Sequence, residues 1–325
     1  MTAAVSPPRK PSAPCFDAGS VYCPCDLATL GQCVACSILR GQDTCDCGWS
    51  GMCVYQEFLR VRKTASPRRR GASAPVIARR DLECAAGQQA FILDLSVADQ
   101  VLAWCALPGS FVLLRPKGSP ERFNVPLSVM QLRDGTLSVV VEVRGPKTIA
   151  LERSCVRGQK VTVVAPFWSG LQGAADLRRH GAGKVLGVAK GIGQAPLVHV
   201  THYVLARGGT LKALLGPGVL GTVFADGLLA REGASVEILP RTKDHNIARI
   251  YRELCQGEYD LLVSEGSDQQ HGALLDLLSS LDSPPAFAWS SNLSMTCAEG
   301  ICGSCLVDGF RGCKAHLTSE YAQSK

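Results

Sequence analysis

Residues 184–207, KVLGVAKGIGQAPLVHVTHYVLAR, decide the architecture of the larger part of the chain. Lys184–Ala189 is a short apolar run, the signature of a strand buried on both faces. Gly191-Ile192-Gly193 interrupts it, and Gln194–Arg207 then runs long enough for a helix. On its own a glycine turn between strand and helix says little, because many such turns use glycine only for close packing. The same alternation repeats downstream. Leu211–Gly216, Ser235–Pro240, Asp260–Ser264 and Pro285–Trp289 read as strands, with helices predicted over Val219–Glu232, His245–Cys255 and Gln270–Leu281. Strands alternating with helices form a parallel sheet covered on both faces, with a ligand crevice at the carboxyl ends of the strands. No internal repeat is present.

Upstream the period changes. From Pro75 to about Gly173 the segments are short and strand-like: Phe91, Leu93 and Leu95 alternate with Ile92, Asp94 and Ser96, followed by Ser110–Arg115, Leu137–Val143 and Lys160–Ala165. Pro108-Gly109 and Asp134-Gly135 are turn signals between them. Short strands divided by turns predict a small antiparallel barrel or sandwich. The fold class expected is multidomain: an antiparallel β-barrel, an α/β parallel-sheet domain, and a cysteine-rich module at each end.

Twelve of the 16 cysteines lie outside these two regions. Four stand in residues 296–313, TCAEGICGSCLVDGFRGC, and eight between Cys15 and Cys53. The first group is spaced C-x₄-C-x₂-C-x₇-C. Three thiolates in one tight loop and a fourth on a return strand suit a [2Fe–2S] rhomb held by Cys297, Cys302, Cys305 and Cys313. Gly300 and Gly303 let backbone N–H groups approach the sulfurs, and Asp308-Gly309 marks the turn that returns Cys313. A zinc site also takes four thiolates, but it usually pairs two knuckles across a longer gap.

The second group reads CPCDLATLGQCVAC over residues 23–36 and CDCGWSGMC over 45–53. Cys23, Cys25, Cys33, Cys36, Cys45, Cys47 and Cys53 are the candidate ligands of a further metal site or sites, with Cys15 upstream. Asp26 is placed to cap a helix carrying Leu27, Leu30, Val34 and Ile38 that ends at Gly41. Such a segment buries too little apolar surface to fold without a metal. One or two [4Fe–4S] clusters and structural zinc both fit these spacings, and the pairing of ligands stays open. Cys84, Cys105, Cys155 and Cys255 stand apart and read as small buried residues.

Composition bounds the rest. The 325 residues are 46% hydrophobic and 19% charged, with a net charge of +6. No apolar run reaches the ~18 residues of a membrane span. The amino-terminal MTAAVSPPRKPSAPC lacks the apolar centre of a secretory signal. Cytoplasmic residence, where dense cysteines serve metals, is therefore expected. The basic residues from Arg60 to Arg80 are broken by Ser, Pro and Gly and carry no aromatic for base stacking, so a linker is preferred to a nucleic-acid surface. No serine–histidine–acid or paired-carboxylate arrangement is present, and no catalytic residue is assigned.

Residues from about 75 to 316 resemble the ferredoxin–NAD(P) reductase superfamily, above all the electron-transfer subunit of two-component dihydroorotate dehydrogenase and sulfide-dehydrogenase-type flavoproteins. Pro108-Gly109-Ser110-Phe111-Val112 looks like that family's entry to a barrel strand. Val125-Pro126-Leu127-Ser128 looks like its Arg-Pro-[Ile/Leu]-Ser flavin motif. Gly145-Pro146-Lys147-Thr148 is similar to the turn that meets the FAD pyrophosphate at a helix N-terminus. Gly191 to Pro196 is similar to its nucleotide turn. The resemblance implies FAD bound by Pro126, Leu127, Ser128, Val141, Gly145, Lys147 and Thr148, and a nucleotide turn at Gly191 and Gly193. It divides the chain into a metal-binding module (1–58), a basic linker (59–74), an FAD-binding barrel (75–173), an NAD(P)-binding-like domain (181–284) and a [2Fe–2S] module (285–325).

The sequence also departs from the family. Val125 and Glu142 stand where arginines are expected, leaving Arg122, Arg144 or Lys147 to take their place. Lys190 replaces the first glycine of the turn. Ser264-Glu265-Gly266-Ser267-Asp268-Gln269 replaces the Cys-Gly-Pro-x-x-Met segment that borders the nicotinamide, and Pro240 to Asp244 replaces an Asp-Gly-Ser/Thr turn. These changes count against NAD(P)H. The function implied is electron relay between FAD and a [2Fe–2S] cluster and on to a partner oxidoreductase. The alternative is a scaffold or conduit subunit that has lost nicotinamide chemistry.

Overall fold

Side-chain alternation closes the first half of the chain on itself. The computed structural model describes residues 15–46, 53–61, 69–241, 243–307 and 309–316, so Cys47 and Asp308 lie outside the described residues. Strands β1 (Ala72–Asp81), β2 (Ala90–Ser96), β3 (Phe111–Pro116), β4 (Val125–Arg133), β5 (Thr136–Glu142) and β6 (Lys160–Phe167) form a closed antiparallel barrel in the order β1–β2–β5–β4–β3–β6. Its interior is filled by alternate residues, among them Phe91, Leu93, Leu95, Val112, Leu114, Val129, Val139 and Val141. β4 and β5 are joined by Asp134 and Gly135 at φ 48° and 77°, the two left-handed positions of a type I′ hairpin turn. β1 extends beyond the segments read as strands because Arg79, Arg80 and Asp81 mask its alternation. Arg79 lies over the Phe91 ring at 4.2 Å and pairs with Asp81, while Arg80 pairs with Asp94. That part of the basic stretch is thus engaged within the protein.

The second half forms a six-stranded sheet. β7 (Leu171–Gln172), β8 (Lys184–Lys190), β9 (Thr210–Gly216), β10 (Ser235–Ile238), β11 (Leu261–Glu265) and β12 (Ala286–Ser290) lie in the order β10–β9–β8–β11–β12–β7. All pairs are parallel except β7 with β12. The chain leaves β8 towards β9 on one side and later returns to β11 on the other, so the strand order reverses between β8 and β11. Helices Gln194–Ala206, Asp226–Glu232, Lys243–Gln256 and Asp268–Ser279 connect the strands.

The expected helix over Val219–Glu232 begins only at Asp226. Gly218 and Gly221 take positive φ, and the buried Gln194 amide holds the preceding loop open. Its Nε2 donates to Thr222 O at 3.1 Å and its Oε1 accepts from Phe224 N at 2.9 Å.

Two of these regions meet through residues that point out of the barrel. Ile92, Met130 and Val140 belong to the same buried cluster as Ala195, Val198 and Val263 of the sheet domain. Barrel and sheet together, residues 69–292, form one compact unit.

The described parts of residues 1–68 and 293–325 form the other unit, so the two cysteine-rich ends fold together. β13 (Leu306–Val307) and β14 (Phe310–Arg311) make a small hairpin there. The helix expected from Asp26 stops at Thr29, and a separate turn, Ile38–Arg40, ends at Gly41 with φ 83°. The linker expected over 59–74 overlaps the Val54–Val61 helix and the start of β1. Phe16 N–H donates to Lys314 O at 2.8 Å. The buried Lys314 ammonium bridges Asp17 Oδ2 at 2.5 Å and Glu299 Oε2 at 2.7 Å. An unpaired charge in that position would cost several kcal/mol, so these two carboxylates tie the chain ends together. Among the described residues no helix is long and apolar enough to cross a membrane.

Leu93 is fully buried in the barrel and Val156 is exposed. Leu93→Ala should lower the unfolding free energy by about 3 kcal/mol, whereas Val156→Ala should change it by less than about 0.5 kcal/mol. Urea midpoints of the two variants check this.

Candidate functional site

At the reversal between β8 and β11 lies a crevice of about 660 Å³. Open α/β sheets bind ligands at this position, outside the carboxyl ends of the strands. Its barrel wall is Pro126, Leu127, Ser128, Val140, Glu142 and Arg144. Its sheet wall is the turn from Lys190 to Gly193 with Ala195 and Pro196, the Gly218–Leu220 loop, and residues 266–269 and 290–292.

Glycine is required where these loops touch. A Cβ on Gly193 would stand 2.2 Å from Glu265 O, and one on Gly218 would stand 2.7 Å from the Gly191 backbone. Gly191 itself has φ 58°. Backbone therefore lines the crevice closely, as a phosphate-bearing ligand needs.

Of the residues singled out in the sequence, Pro126, Leu127, Ser128, Gly191 and Gly193 meet here. Val141 does not: it is fully buried inside the barrel, and its neighbours Val140 and Glu142 face the crevice instead. The one-residue alternation of a strand is the reason. Gly145, Lys147 and Thr148 lie at the start of the Pro146–Ser154 helix and do not line the crevice. Thr148 Oγ1 accepts from the N–H groups of Arg144 at 2.9 Å and Gly145 at 3.1 Å, and Lys147 Nζ donates to Asn124 O at 3.4 Å.

Glu142, in place of an arginine, grips Arg144 at 2.6 Å. Arg144 thus reaches the crevice with its charge partly matched, and Lys190 is the other cation on its wall. Arg122 lies over Phe123 at 5.7 Å and takes no part.

Behind the sheet wall is a buried polar network that sequence reasoning missed. His271 Nδ1 is 2.8 Å from Ser264 Oγ, and its Nε2 is 3.3 Å from both Ser290 Oγ and Asn292 Nδ2. Burial lowers the His271 pKa to about 4, so its ring is neutral. Glu265, at the end of β11, is 1% exposed and its Oε2 has no hydrogen-bond partner. Burial, only partly opposed by a Ser290 hydrogen bond, raises its pKa to about 8 and keeps it protonated at neutral pH. The signal for this network was the replaced segment Ser264–Gln269, whose first two residues, Ser264 and Glu265, are buried while Ser267, Asp268 and Gln269 are exposed.

The carboxyl-terminal cysteines fall into two pairs. Cys305 Sγ and Cys313 Sγ are 3.1 Å apart. Cys297 Sγ accepts from the N–H groups of Glu299 at 3.4 Å and Cys302 at 3.5 Å. Ala298, Gly300 and Gly303 all take positive φ (52°, 79° and 74°), which turns amides inward; for alanine this is a strained choice. The Cys313 hydrogen bond is the largest influence on Cys305 and lowers its pKa to about 6, while Cys313 is pushed up in return. Burial raises Cys302, but hydrogen bonds from Ser304 and Cys297 bring it down to about 7. Cys302 and Cys305 are the two whose surroundings favour the thiolate that ligation requires.

In the amino-terminal segment Cys23, Cys25 and Cys33 line one small enclosed space with Cys15. Cys36 is buried beside it, Cys53 is half-buried and Cys45 is exposed. Among the described residues no three Cys, His, Asp or Glu side chains converge as the ligands of one metal ion. The isolated Cys105 and Cys155 are fully buried in the barrel, whereas Cys84 is half-buried and Cys255 is exposed, against the expectation for both.

No family model matches the chain. It is 26% identical over 219 residues to the "Probable dihydroorotate dehydrogenase B (NAD(+)), electron transfer subunit" of Archaeoglobus fulgidus, covering 63% of this chain and 82% of that protein. Among solved structures it is similar to an NADH-dependent reduced ferredoxin–NADP oxidoreductase, with a TM-score of 0.60 and 20% identity over 77% of this chain and 89% of the other. It is also similar to ferredoxin–NADP+ reductase from Plasmodium falciparum, with a TM-score of 0.51 and 12% identity over 66% of this chain and 91% of that one. The barrel and sheet therefore have the fold of the ferredoxin reductase superfamily.

Glu265 gives a pH test. Its folded pKa of about 8 lies above the ordinary 4.5, so the folded state holds an extra proton between those values. Its stabilising contribution is complete below pH 4.5 and is lost as pH rises through about 8. Stability should fall over this range with a slope approaching about 1.4 kcal/mol per pH unit from this group. Glu265→Gln should flatten that component, as read from urea midpoints across the pH series.

Proposed function

We propose that this chain is an iron–sulfur flavoprotein subunit that relays electrons between FAD in the crevice and a [2Fe–2S] cluster on Cys297, Cys302, Cys305 and Cys313, and on to a partner oxidoreductase. The observation that carries the reading is the convergence of Pro126–Ser128 from the barrel with the glycine turn from the sheet on one crevice at the strand reversal. Its volume of about 660 Å³ is within the usual range for cofactor sites. FAD, when bound, takes up electrons in pairs and passes them on singly, which a two-iron centre requires.

The protein's own residues would bind and orient. Leu127, Val140 and Ile192 offer apolar contact, Ser128 a hydroxyl, and Lys190 with Arg144 the positive charge for phosphate. Glu142 holds Arg144 in place. Glu265, buried behind the Gly193 turn and neutral, adds no negative charge to the sheet wall.

The thiolate loop fits a two-iron centre because a rhomb takes two thiolates at each iron and the structure supplies two neighbouring pairs. N–H groups aimed at Cys297 Sγ would stabilise the anionic sulfur. A second metal centre in the amino-terminal segment belongs to the same reading, as does a reducing cytoplasm.

One observation favours a subunit fed by its partner over one that oxidises NAD(P)H. Asp268 lines the crevice in the segment that replaces the nicotinamide border, which adds negative charge where an anionic nucleotide would lie. The curated relative of similar layout is itself named as an electron transfer subunit, which supports a separate catalytic partner.

Anaerobically purified protein should contain FAD and, once reduced with dithionite, show the paramagnetic signal of a reduced [2Fe–2S] cluster. Cys302→Ser should abolish that signal and leave the flavin content unchanged. Absence of flavin would contradict the crevice assignment; persistence of the signal in Cys302→Ser would contradict the ligand assignment.

A further inference from the structure

We propose that Cys15, Cys23, Cys25 and Cys33 hold a [4Fe–4S] cluster, a second centre beside the carboxyl-terminal thiolate loop. The iron–sulfur character of this site rests on the reading above; the ligand set rests on the fold. Eight cysteines precede residue 54. Cys15, Cys23, Cys25 and Cys33 face one small enclosed space, which Asp17 and the apolar Tyr22, Leu27, Ala28, Val34 and Val54 close off. Cys36 is buried next to Cys33 but does not face it, and Cys45 is exposed.

Zinc would draw the same four sulfurs to about 2.3 Å of one point, so metal and sulfide content separates it from a cluster. A cubane instead takes one thiolate at each of four separated corners, which matches four thiols standing around a space.

Two further features agree. The amino-terminal segment has little to fold around: the Asp26–Thr29 and Ile38–Arg40 turns, the Val54–Val61 helix, and a core of Ala28, Cys33, Cys36, Leu39 and Val54. A cluster would supply the missing cohesion. The site also adjoins the other thiolates. Cys15 and Cys313 flank the hydrogen-bonded pair Phe16 and Lys314, which sets their Cα atoms at most about 13 Å apart. Lys314 pairs with Asp17 of one segment and Glu299 of the other, which joins the two thiol-bearing segments. With both sets of thiolates occupied, Cys15 and Cys313 would hold two one-electron centres close enough to exchange electrons.

The test is metal and sulfide analysis with Mössbauer spectroscopy on the full chain, prepared anaerobically with iron-57. The wild type should contain about six irons and show cubane doublets. Cys25→Ser should fall to about two irons while keeping flavin and the [2Fe–2S] signal, which also shows that the variant folds. Cys45→Ser should keep all six. Cys302→Ser should lose the two-iron signal and retain the cubane spectrum, so failure of the carboxyl-terminal assignment is read separately. A wild type with about two irons, or with zinc in place of the remainder, overturns the proposal. So does a Cys45→Ser variant that loses the cubane spectrum.

Discussion

The contact on which the rest of the reductase-like unit depends is the apolar seam formed by Ile92, Met130 and Val140 against the Gln194–Ala206 helix and its sheet. These residues interrupt what would otherwise be a polar outer barrel face. Burying three such side chains stabilises the seam by several kcal/mol, at roughly 1.5–3 kcal/mol each. Because the seam fixes one wall against the other, the crevice has a defined width before any ligand enters. The same alternation that sends Val140 outward sends Val139 and Val141 inward, so barrel core and crevice wall are specified by neighbouring residues of β5.

The crevice departs from a simple anion site in its charges. Glu142 and Asp268 lie on its walls with Arg144 and Lys190, and Glu265 stays neutral behind them. A phosphate would find cations there, but fewer free ones than two unopposed arginines would provide. The polar network of Ser264, His271, Ser290 and Asn292 fills space that small or apolar residues could have lined. Altered walls on an intact frame describe a site that keeps the shape of its fold and carries its own set of charges.

Much of this was legible in the sequence where the constraint is local. The glycine turn Gly191–Gly193 is legible because the strand before it and the helix after it carry their own periodicities. The barrel is legible from alternation and from the Asp134-Gly135 hairpin. β1 was missed where paired arginines and acids cover its pattern, and the start of the Asp226–Glu232 helix was misplaced because Gln194, far away in sequence, holds its loop. Val141, expected among the FAD-binding residues, turned out to face the barrel interior, which only the register of β5 reveals. Nor could spacing reveal that Asp17 and Glu299 share Lys314, since 282 residues separate the two acids and burial alone makes that bridge necessary.

The shared lysine changes the meaning of the two cysteine-rich ends. Read along the chain they are separate appendages; in the structure they are one unit, its two thiol-bearing segments joined through a buried lysine. Such a unit is an electron path if both groups carry iron and the crevice carries flavin. A stepwise anaerobic reductive titration of the full chain, followed by visible absorption, tests that account most directly. The expected result is uptake of about four electrons per chain, two at the flavin and one at each cluster. Uptake of no more than about one electron, without flavin bleaching, would contradict it.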